Sequence, residues 1–295
     1  MKVGVLGGSG VYNIEGLENA VKTEVDTPFG KPSDSILQGT LNGCEVFFLP
    51  RHARGHRLLP SEINHKANVY AFKELGVEWV VSVSAVGSLR EEFRPRDLVL
   101  PDQYYDRTKG SLDHTFFGHG LVAHIAFGEP TCSVLRERIA ETGRKVVQAA
   151  GLSPEPRIHV GGVYVNMEGP AFSTKAESNI YRQLGCDIIG MTSLPEAKLC
   201  REAEICYQAM AMVTDYDCWR EEEEAVSVDR VIEHLLANTE LAKSILKELI
   251  PSLPAERKCP CVDALANALM TQRDIVPKQT MQDLKPIVGS YFNLE

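Results

Sequence analysis

Short apolar runs alternate with amphipathic stretches along most of the chain, which is the pattern of an α/β protein. Helical spacing of apolar residues predicts helices at 61–76, 174–185, 194–204 and 227–250. Because the apolar runs between the helices are nearly continuous, we expect strands that are buried on both faces of a central sheet. The predicted strands and extended segments are 3–10, 44–50, 78–88, 97–101, 157–170, 186–191 and 205–215.

The pattern changes at residues 251–262, where three prolines interrupt the chain. We therefore predict a main domain over residues 1–250 and a linker with a helical extension over residues 251–295. The extension either closes over a site or packs on the same domain or a neighbouring subunit.

Composition narrows the class of ligand. The chain of 295 residues has a net charge of −9 and no basic tract, which argues against nucleic acid and for a small molecule or a protein partner. No stretch reaches the roughly 18 apolar residues of a membrane span. The N-terminus lacks the apolar stretch and cleavage site of a signal peptide, so we predict a cytoplasmic protein that does not bind membranes.

Eight cysteines are scattered along the chain, and none forms a C-x-x-C pair. This argues against a zinc ribbon or a thioredoxin motif, and we expect buried or free thiols in a reducing compartment. Cys259 and Cys261 are separated only by a proline. Disulfides, including that pair, would fit only a hyperthermophilic source.

Glycines and a serine follow the first predicted strand at residues 7–10. The dinucleotide fingerprint would need a third glycine where the chain has Asn13, and no Gly-Lys-Ser/Thr of a Walker loop follows. What remains is either a tight turn or an anion-binding nest of amides, to which Ser9 would add a donor.

Arg51 and His52 follow the second predicted strand, in "RHARGH". A guanidinium fork suits phosphate oxygens. His52 and His56 are four residues apart, as in a zinc motif, but the glutamate of H-E-x-x-H is absent and Gly55 disfavours a helix. Anion binding is therefore favoured over a metal site or a solvated basic loop, and no metal is expected.

Other strand ends carry small, polar or flat side chains. Ser84 and Ala85 lie near the end of a third strand, and Thr192 follows another, where each would serve either a turn or an anion. Phe172 follows a Gly-Pro turn and could offer its ring to a planar ligand.

The longest predicted strand ends at two acidic residues, Asp215 and Asp217. These carboxylates either cap a turn or deliver acid groups to a ligand. Two carboxylates in one pocket cannot both be charged comfortably, so one tends to keep its proton.

Eight stretches resemble the purine nucleoside phosphorylase superfamily of the trimeric type. They cover roughly residues 3–245 in order: "GVLGGSGVY", "VDTPFGKPSD", "RHARGH", "SAVGSLRE", "DQYYDRT", "EGPAFST", "MTSLPEAKL" and "TDYDCWREEEEAVSVDRV". The resemblance implies a single α/β domain with a mixed, partly barrel-like sheet flanked by helices.

The resemblance also implies phosphorolysis of a nucleoside without metal or organic cofactor, with inorganic phosphate as co-substrate. The expected reaction converts 5′-methylthioadenosine to adenine and 5-methylthioribose 1-phosphate. Adenosine, inosine or methylthioinosine are the alternative substrates, and a nucleoside-binding protein without turnover is the alternative class. A homotrimer, or a hexamer of two trimers, is expected.

The roles implied for individual residues follow the same resemblance. Asp217 would act at purine N7 and Asp215 at the 6-amino group. Phe172 would pack on the base and Met191 beneath the ribose. The phosphate ligands would be Ser9, Arg51, His52, Ser84, Ala85 and Thr192. The 5′ end of the nucleoside would contact His124 of an adjacent subunit. It would also contact Val228 and Val231, unless these two side chains pack in the core.

Overall fold

One mixed sheet organises the fold. A computed structural model describes residues 1–8, 10–11, 13–109, 114–220 and 228–293, with the backbone alone described for 228–231. Within these residues the sheet has eleven strands. They are β1 (Lys2–Gly7), β2 (Leu17–Thr23), β3 (Ile36–Leu41), β4 (Cys44–Pro50), β5 (Trp79–Ser88), β6 (Leu98–Leu100), β7 (Gln103–Arg107), β8 (Ile158–Val160), β9 (Val163–Met167), β10 (Ile188–Gly190) and β11 (Cys206–Asp215).

Helices cover both faces of this sheet. They are α1 (His65–Glu74), α2 (Ser133–Ala150), α3 (Lys175–Gln183), α4 (Ser193–Glu202), α5 (Val228–Ser252), α6 (Lys278–Asp283) and α7 (Lys285–Phe292). None of the helices in the described part of the chain combines the length and the apolar character that crossing a bilayer requires.

The centre of the sheet consists of the parallel strands β4, β1, β5 and β11, in that order. Strand β5 also pairs with β10 at its far end, and β11 continues through β6 to β8. The sheet therefore branches at β5, and the pairings among the described strands do not close it into a barrel. Because the four central strands are parallel, their carboxyl ends meet at one edge.

Two hydrophobic cores lie on opposite faces of the central strands. Val3 and Val5 of β1 pack into one core with α2 and α5, whereas Leu6 packs into the other with α1, α4 and α7. Both faces of β5 and β11 are likewise buried, as the apolar runs predict. Full burial of one such side chain contributes about 1.5–3 kcal/mol, so the sheet edge that carries the site rests on a rigid support.

Local signals set the ends of the helices. The side chain of Thr174 accepts from the Glu177 amide, and the Glu177 carboxylate accepts from the Thr174 amide, a reciprocal capping box at the start of α3. The predicted start of the first helix near Ser61 is wrong. Helix α1 begins at His65, because the Asn64 side chain accepts from the Ala67 amide and caps it there.

The C-terminal extension packs on the same sheet as the rest of the chain. Helix α5 runs to Ser252, two residues past the predicted boundary, and includes Pro251. Beyond it, Leu265, Leu284 and Ile287 are buried in the core that contains Leu6. The extension thus forms part of one of the two cores.

Candidate active site

The ends of β1, β4 and β5 form a cradle at the carboxyl edge of the sheet. Gly7 pairs with Pro50, and Leu6 pairs with Ser82. The residues that follow each strand therefore meet: Gly8 after β1, Arg51 after β4, and Ser84 two residues beyond Ser82. Ser9 lies outside the described residues.

Arg51 is buried beneath this cradle, with 2% of its surface exposed. Its Nε donates to Glu196 Oε1 at 2.7 Å. One Nη1 N–H donates to the Val83 carbonyl (2.7 Å), and Nη2 donates to the Leu6 carbonyl (3.1 Å) and the Ser82 hydroxyl (2.6 Å). Four of the five N–H groups thus have protein partners among the described residues, which leaves one on Nη1 for an anion.

Glu196, on α4, is the charge partner that the sequence analysis missed. Its carboxylate also accepts from the Ser82 hydroxyl (2.6 Å) and the Tyr207 hydroxyl (2.9 Å). A buried charge pair of this kind needs such bonds to offset its desolvation. Because Glu196 neutralises Arg51, amides and hydroxyls must supply much of the attraction for an anion.

His52 is held in one tautomer. Its Nδ1 lies 2.9 Å from the Leu58 carbonyl oxygen, which can only accept, so Nδ1 carries the proton. The ring stacks on His56 with centroids 4.4 Å apart. Burial lowers the pKa of His52 to about 4, so the imidazole is neutral at pH 7. Its Nε2 is then an acceptor and suits a protonated phosphate oxygen.

Two of the buried side-chain groups without a hydrogen-bond partner among the described residues are hydroxyls of the cradle, Ser84 Oγ and Tyr164 Oη. Burying such groups without a hydrogen-bond partner is costly, which indicates that a ligand or a water molecule supplies the partner. A Cβ at Gly190 would overlap the Tyr164 hydroxyl, so glycine is required there. Thr192, two residues later, is buried at the start of α4, where backbone amides favour anions.

Asp215 and Asp217 lie at the end of β11 and form a turn. The Asp217 amide donates to Asp215 Oδ1 at 2.8 Å, and the Thr214 hydroxyl donates to Asp215 Oδ2 at 2.7 Å. Asp215 therefore has the turn role that the sequence left open, while its oxygens can still accept further bonds. Asp217 has a φ of 52°, a left-handed conformation that Asp tolerates.

Burial raises the pKa of Asp217 above its usual range. The nearby Asp215 carboxylate raises this pKa further, and the Ser178 hydroxyl acts in the opposite direction. Both raising effects disfavour the charged form, so Asp217 retains a proton more readily than a carboxyl group in water.

Gly87 joins the acid pair to the cradle. A Cβ at this position would lie 3.2 Å from Asp215 Oδ1 and 3.3 Å from the Asp217 Cβ. Gly87 is only three residues beyond Ser84 on β5. The Ser84 hydroxyl, on β5, and the two carboxyl groups, which lie beside Gly87, are therefore close to the same end of β5.

A loop after β9 borders the acid pair on another side. The Cys218 thiol donates to the Ser173 carbonyl at 3.3 Å, which links this loop to the residue after Asp217. A Cβ at Gly169 would touch Met191 Sδ at 2.6 Å, so Met191 packs under the same loop. Phe172, in the middle of the loop, is 83% exposed. Its ring is thus free to cover a planar ligand.

Three predicted site residues are not brought together with the acids by the described contacts. His124 is exposed, and its amide donates to the Ala268 carbonyl in the C-terminal extension. Val228 and Val231 begin α5, but their side chains lie outside the described part of the chain. Their predicted roles at the 5′ end remain predictions.

Comparison with known proteins places this geometry in a family. The model of the phosphorylase superfamily matches residues 2–251. The chain belongs to this superfamily.

Relatives of this superfamily member match along nearly their whole length. An S-methyl-5′-thioadenosine phosphorylase from Koribacter versatilis is 52% identical, over 99% of this chain and 97% of the relative. The enzyme of the same name from Gloeobacter violaceus is 54% identical, over 98% of this chain and 96% of the relative.

Solved structures of the superfamily have the same fold. A methylthioadenosine phosphorylase from an antarctic soil metagenomic library superposes with a TM-score of 0.91 at 44% identity, covering 97% of this chain and 98% of that chain. A variant of the adenosine/methylthioadenosine phosphorylase from Schistosoma mansoni, solved with adenine, gives 0.79 at 38% identity over 87% and 93% of the two chains. The mixed α/β fold of a single-domain nucleoside phosphorylase, predicted from the sequence, is confirmed.

Proposed function

We propose that the protein catalyses phosphorolysis of 5′-methylthioadenosine, giving adenine and 5-methylthioribose 1-phosphate. Relatives about half identical over almost the full length carry the corresponding name. The observation that carries the proposal is the position of Gly87, which lies between the acid pair and the Ser84 end of the cradle. One strand thereby aligns a site for an attacking anion with a site for a leaving base.

The cradle binds inorganic phosphate as co-substrate. The phosphate receives hydrogen bonds from the amides after β1, the Ser84 hydroxyl, the Ala85 amide, Thr192 and one N–H of Arg51. Ser9 is assigned to it by the resemblance. Neutral His52 accepts from a protonated phosphate oxygen. A phosphate oxygen forms a bond to C1′ of the ribose while the bond from C1′ to N9 breaks. Positioning of this kind can contribute about 7–11 kcal/mol to lowering the barrier.

Asp217 protonates the departing base. As the C1′–N9 bond breaks, its electron pair moves into the purine ring, and Asp217 gives its proton to N7. Solvent then returns a proton to the carboxylate. A raised pKa suits this role because the acid must still hold its proton when the substrate binds.

Asp215 selects adenine. A carboxylate oxygen accepts from the 6-amino N–H but repels a 6-oxo group, so inosine and methylthioinosine are poor substrates. Phe172 covers the base and Met191 packs beneath the ribose. Val228 and Val231 line the pocket for the methylthio group, and His124 reaches the 5′ end from an adjacent subunit.

The assembly is a homotrimer, alone or paired into a hexamer. The exposure of His124 in the single chain, away from the acid pair, is consistent with a role at a neighbour's site. The cytoplasmic location stays a prediction from the sequence.

Adenosine is a second candidate substrate. The name of the Schistosoma mansoni enzyme given above includes both nucleosides. Asp215 would contact the same 6-amino group in either one, so discrimination depends on the 5′ pocket alone.

The test is base release from 5′-methylthioadenosine, adenosine, inosine and methylthioinosine, each with and without inorganic phosphate. We expect phosphate-dependent release of adenine, fastest from 5′-methylthioadenosine. Release of hypoxanthine as fast as adenine would contradict the assignment of Asp215, and binding without release would indicate a protein that has lost turnover.

A further inference from the structure

Four buried cysteines meet at the opposite end of β11 from the acid pair. The Sγ atoms of Cys132, Cys206, Cys259 and Cys261 all lie within 4.8 Å of one another, and those of Cys206 and Cys259 are 3.3 Å apart. The other four cysteines are not part of this cluster. Spacing along the chain gave no sign of it, because C-x-x-C is absent.

Three separate elements bring the thiols together. Cys132 precedes the first turn of α2, and Cys206 opens β11. Cys259 and Cys261 lie in the turn after α5, where both are buried while Pro260 between them is exposed. Two side chains of one short turn therefore point inward at the same place.

Hydrogen bonds to backbone carbonyl groups help to hold these elements in position. The Cys132 amide donates to the Tyr207 carbonyl at 2.9 Å, which ties α2 to β11. Arg257, just before the turn, donates from Nη1 to the Glu204 carbonyl at 2.7 Å. The cluster is thus assembled by the fold and does not depend on a flexible segment.

We propose that these four thiols form a closed, structural zinc(II) site. Four thiolates around zinc, with Zn–S distances of about 2.3 Å, place the sulfurs about 3.8 Å apart in a tetrahedron. The observed sulfur spacing brackets this value. Each thiol loses its proton on binding, so four protons leave and the complex carries a net charge of −2.

The surroundings suit such a complex better than a pair of disulfides. A disulfide needs only two sulfurs to approach, at about 2.05 Å, and gives no reason for all four to be mutually close. The positive N-terminal end of α2 at Cys132 offsets part of the negative charge. Soft thiolate ligands in a tetrahedral set select zinc over hard cations such as Mg²⁺.

The site is structural because it lies far from the proposed chemistry. Cys206 begins β11 and Asp215 ends it, so about nine steps of about 3.3 Å separate them, or roughly 30 Å. Zinc would fasten the 259–261 turn, and with it the C-terminal extension, to the sheet. The proposal therefore does not depend on the proposed reaction.

Elemental analysis of the full chain, purified without chelator, tests the site directly. We expect about one zinc per chain, and we expect Cys261→Ala to lose it. Cys200→Ala should retain the zinc, and it is the matched control because Cys200 is a buried thiol outside the cluster. Cobalt(II) in place of zinc should show thiolate-to-cobalt charge transfer and intense tetrahedral ligand-field bands. Zinc removal should lower Tm by about 5 °C or more.

Wild-type protein alone can overturn the proposal, whether or not Cys261→Ala folds. Protein that holds no zinc as purified, and takes up none after reduction with a phosphine, would contradict it. Each disulfide lowers the mass of the denatured chain by two hydrogens relative to the reduced chain. Such a loss, mapped to these four cysteines, would assign disulfides instead of zinc. Zinc that persists in Cys261→Ala at wild-type stoichiometry would show that the metal binds elsewhere.

Discussion

Burial acts in opposite directions on two residues of the candidate site. It raises the pKa of Asp217 and lowers that of His52 to about 4, because desolvation disfavours whichever form is charged. The acid is thereby kept closer to its neutral form and the imidazole is kept neutral. Arg51, buried beneath the cradle, is already paired with Glu196.

Replacing Asp217 by Asn removes the proton that the leaving base needs. We expect kcat for 5′-methylthioadenosine to fall by about 10²–10⁴-fold, with KM changed much less, since an amide keeps the shape of the side chain. Steady-state kinetics at saturating phosphate would measure this. Asp215→Asn is the comparison: it should keep turnover but gain relative activity on inosine. Wild-type kcat in Asp217→Asn would remove the acid role.

Ser84→Ala removes a hydroxyl that is buried and unpartnered. If phosphate accepts a hydrogen bond from this hydroxyl, KM for phosphate should rise about tenfold or more, because a hydrogen bond to a charged group is worth about 1.5–3 kcal/mol. Tm should change little. Initial rates at varied phosphate, with thermal unfolding, would check both.

Ser82→Ala is the matched control for Ser84→Ala. The Ser82 hydroxyl lies 2.6 Å from both Glu196 Oε2 and Arg51 Nη2, so its loss should lower Tm. An unchanged KM for phosphate in Ser84→Ala would show that phosphate does not contact this hydroxyl.

At the scale of the element, β5 connects the two halves of the site. It pairs with β1 on one side and with β11 on the other, and so joins the cradle to the acid turn. The Trp219 indole N–H donates to the Ser88 carbonyl at 2.8 Å, which fixes the turn after Asp217 on the end of β5. A displacement of this strand end should therefore move both carboxyl groups together.

Gly87→Ala tests this coupling. The added Cβ would lie 3.1 Å from Ile189 Cγ2 and nearly as close to both aspartates, so these neighbours must give by a few tenths of an ångström. We expect kcat to fall by up to about tenfold, because a misplacement of about 1 Å can cost about 100-fold and this shift is smaller. Gly128→Ala, whose Cβ would meet nothing within 4 Å, should behave as wild type. Equal kcat for the two variants would contradict a shared strand end.

Helix α4 carries a second buried carboxyl group, Glu202, which accepts from the Thr115 hydroxyl and the Phe116 amide, both at 2.7 Å. Burial raises the pKa of Glu202 to about 7. The folded protein therefore holds this proton between about pH 4.5 and 7, where the unfolded chain has lost it. The contribution of Glu202 to stability is complete below pH 4.5 and is lost as pH rises through 7.

Glu202→Gln should remove this pH dependence. The difference in unfolding free energy between wild type and the variant should fall by on the order of 3 kcal/mol as pH rises from about 4.5 to above 7. Urea unfolding at several pH values measures it. A difference that stays constant across this range would mean that Glu202 is charged throughout.

For the whole molecule, the sequence predicted the central strands well and the long-range contacts poorly. Strands β4 and β11 match the predicted bounds to within one residue, because each is a continuous apolar run. Helix α2 and strand β2 were missed. Strand β2 is largely exposed and has no apolar alternation, and the polar face of α2 obscures its buried stripe.

The site shows the same division. Residues that follow strand ends were identified from local pattern and family resemblance. Glu196 was not assigned, because its partner Arg51 is 145 residues away and only the fold brings them together. Tyr164 was missed because a tyrosine inside a predicted strand is expected to pack in the hydrophobic core. The four clustered thiols likewise lie on three elements that are distant in sequence.

The central claim is that phosphate held by the cradle attacks C1′ while the acid pair accepts the base. Incubation of the protein with 5′-methylthioadenosine and phosphate labelled with ¹⁸O in all its oxygens tests it most directly. Mass spectrometry should find adenine and 5-methylthioribose 1-phosphate that retains every labelled oxygen, including the one now bonded to C1′. Free, unlabelled 5-methylthioribose, formed equally fast without phosphate, would contradict the account.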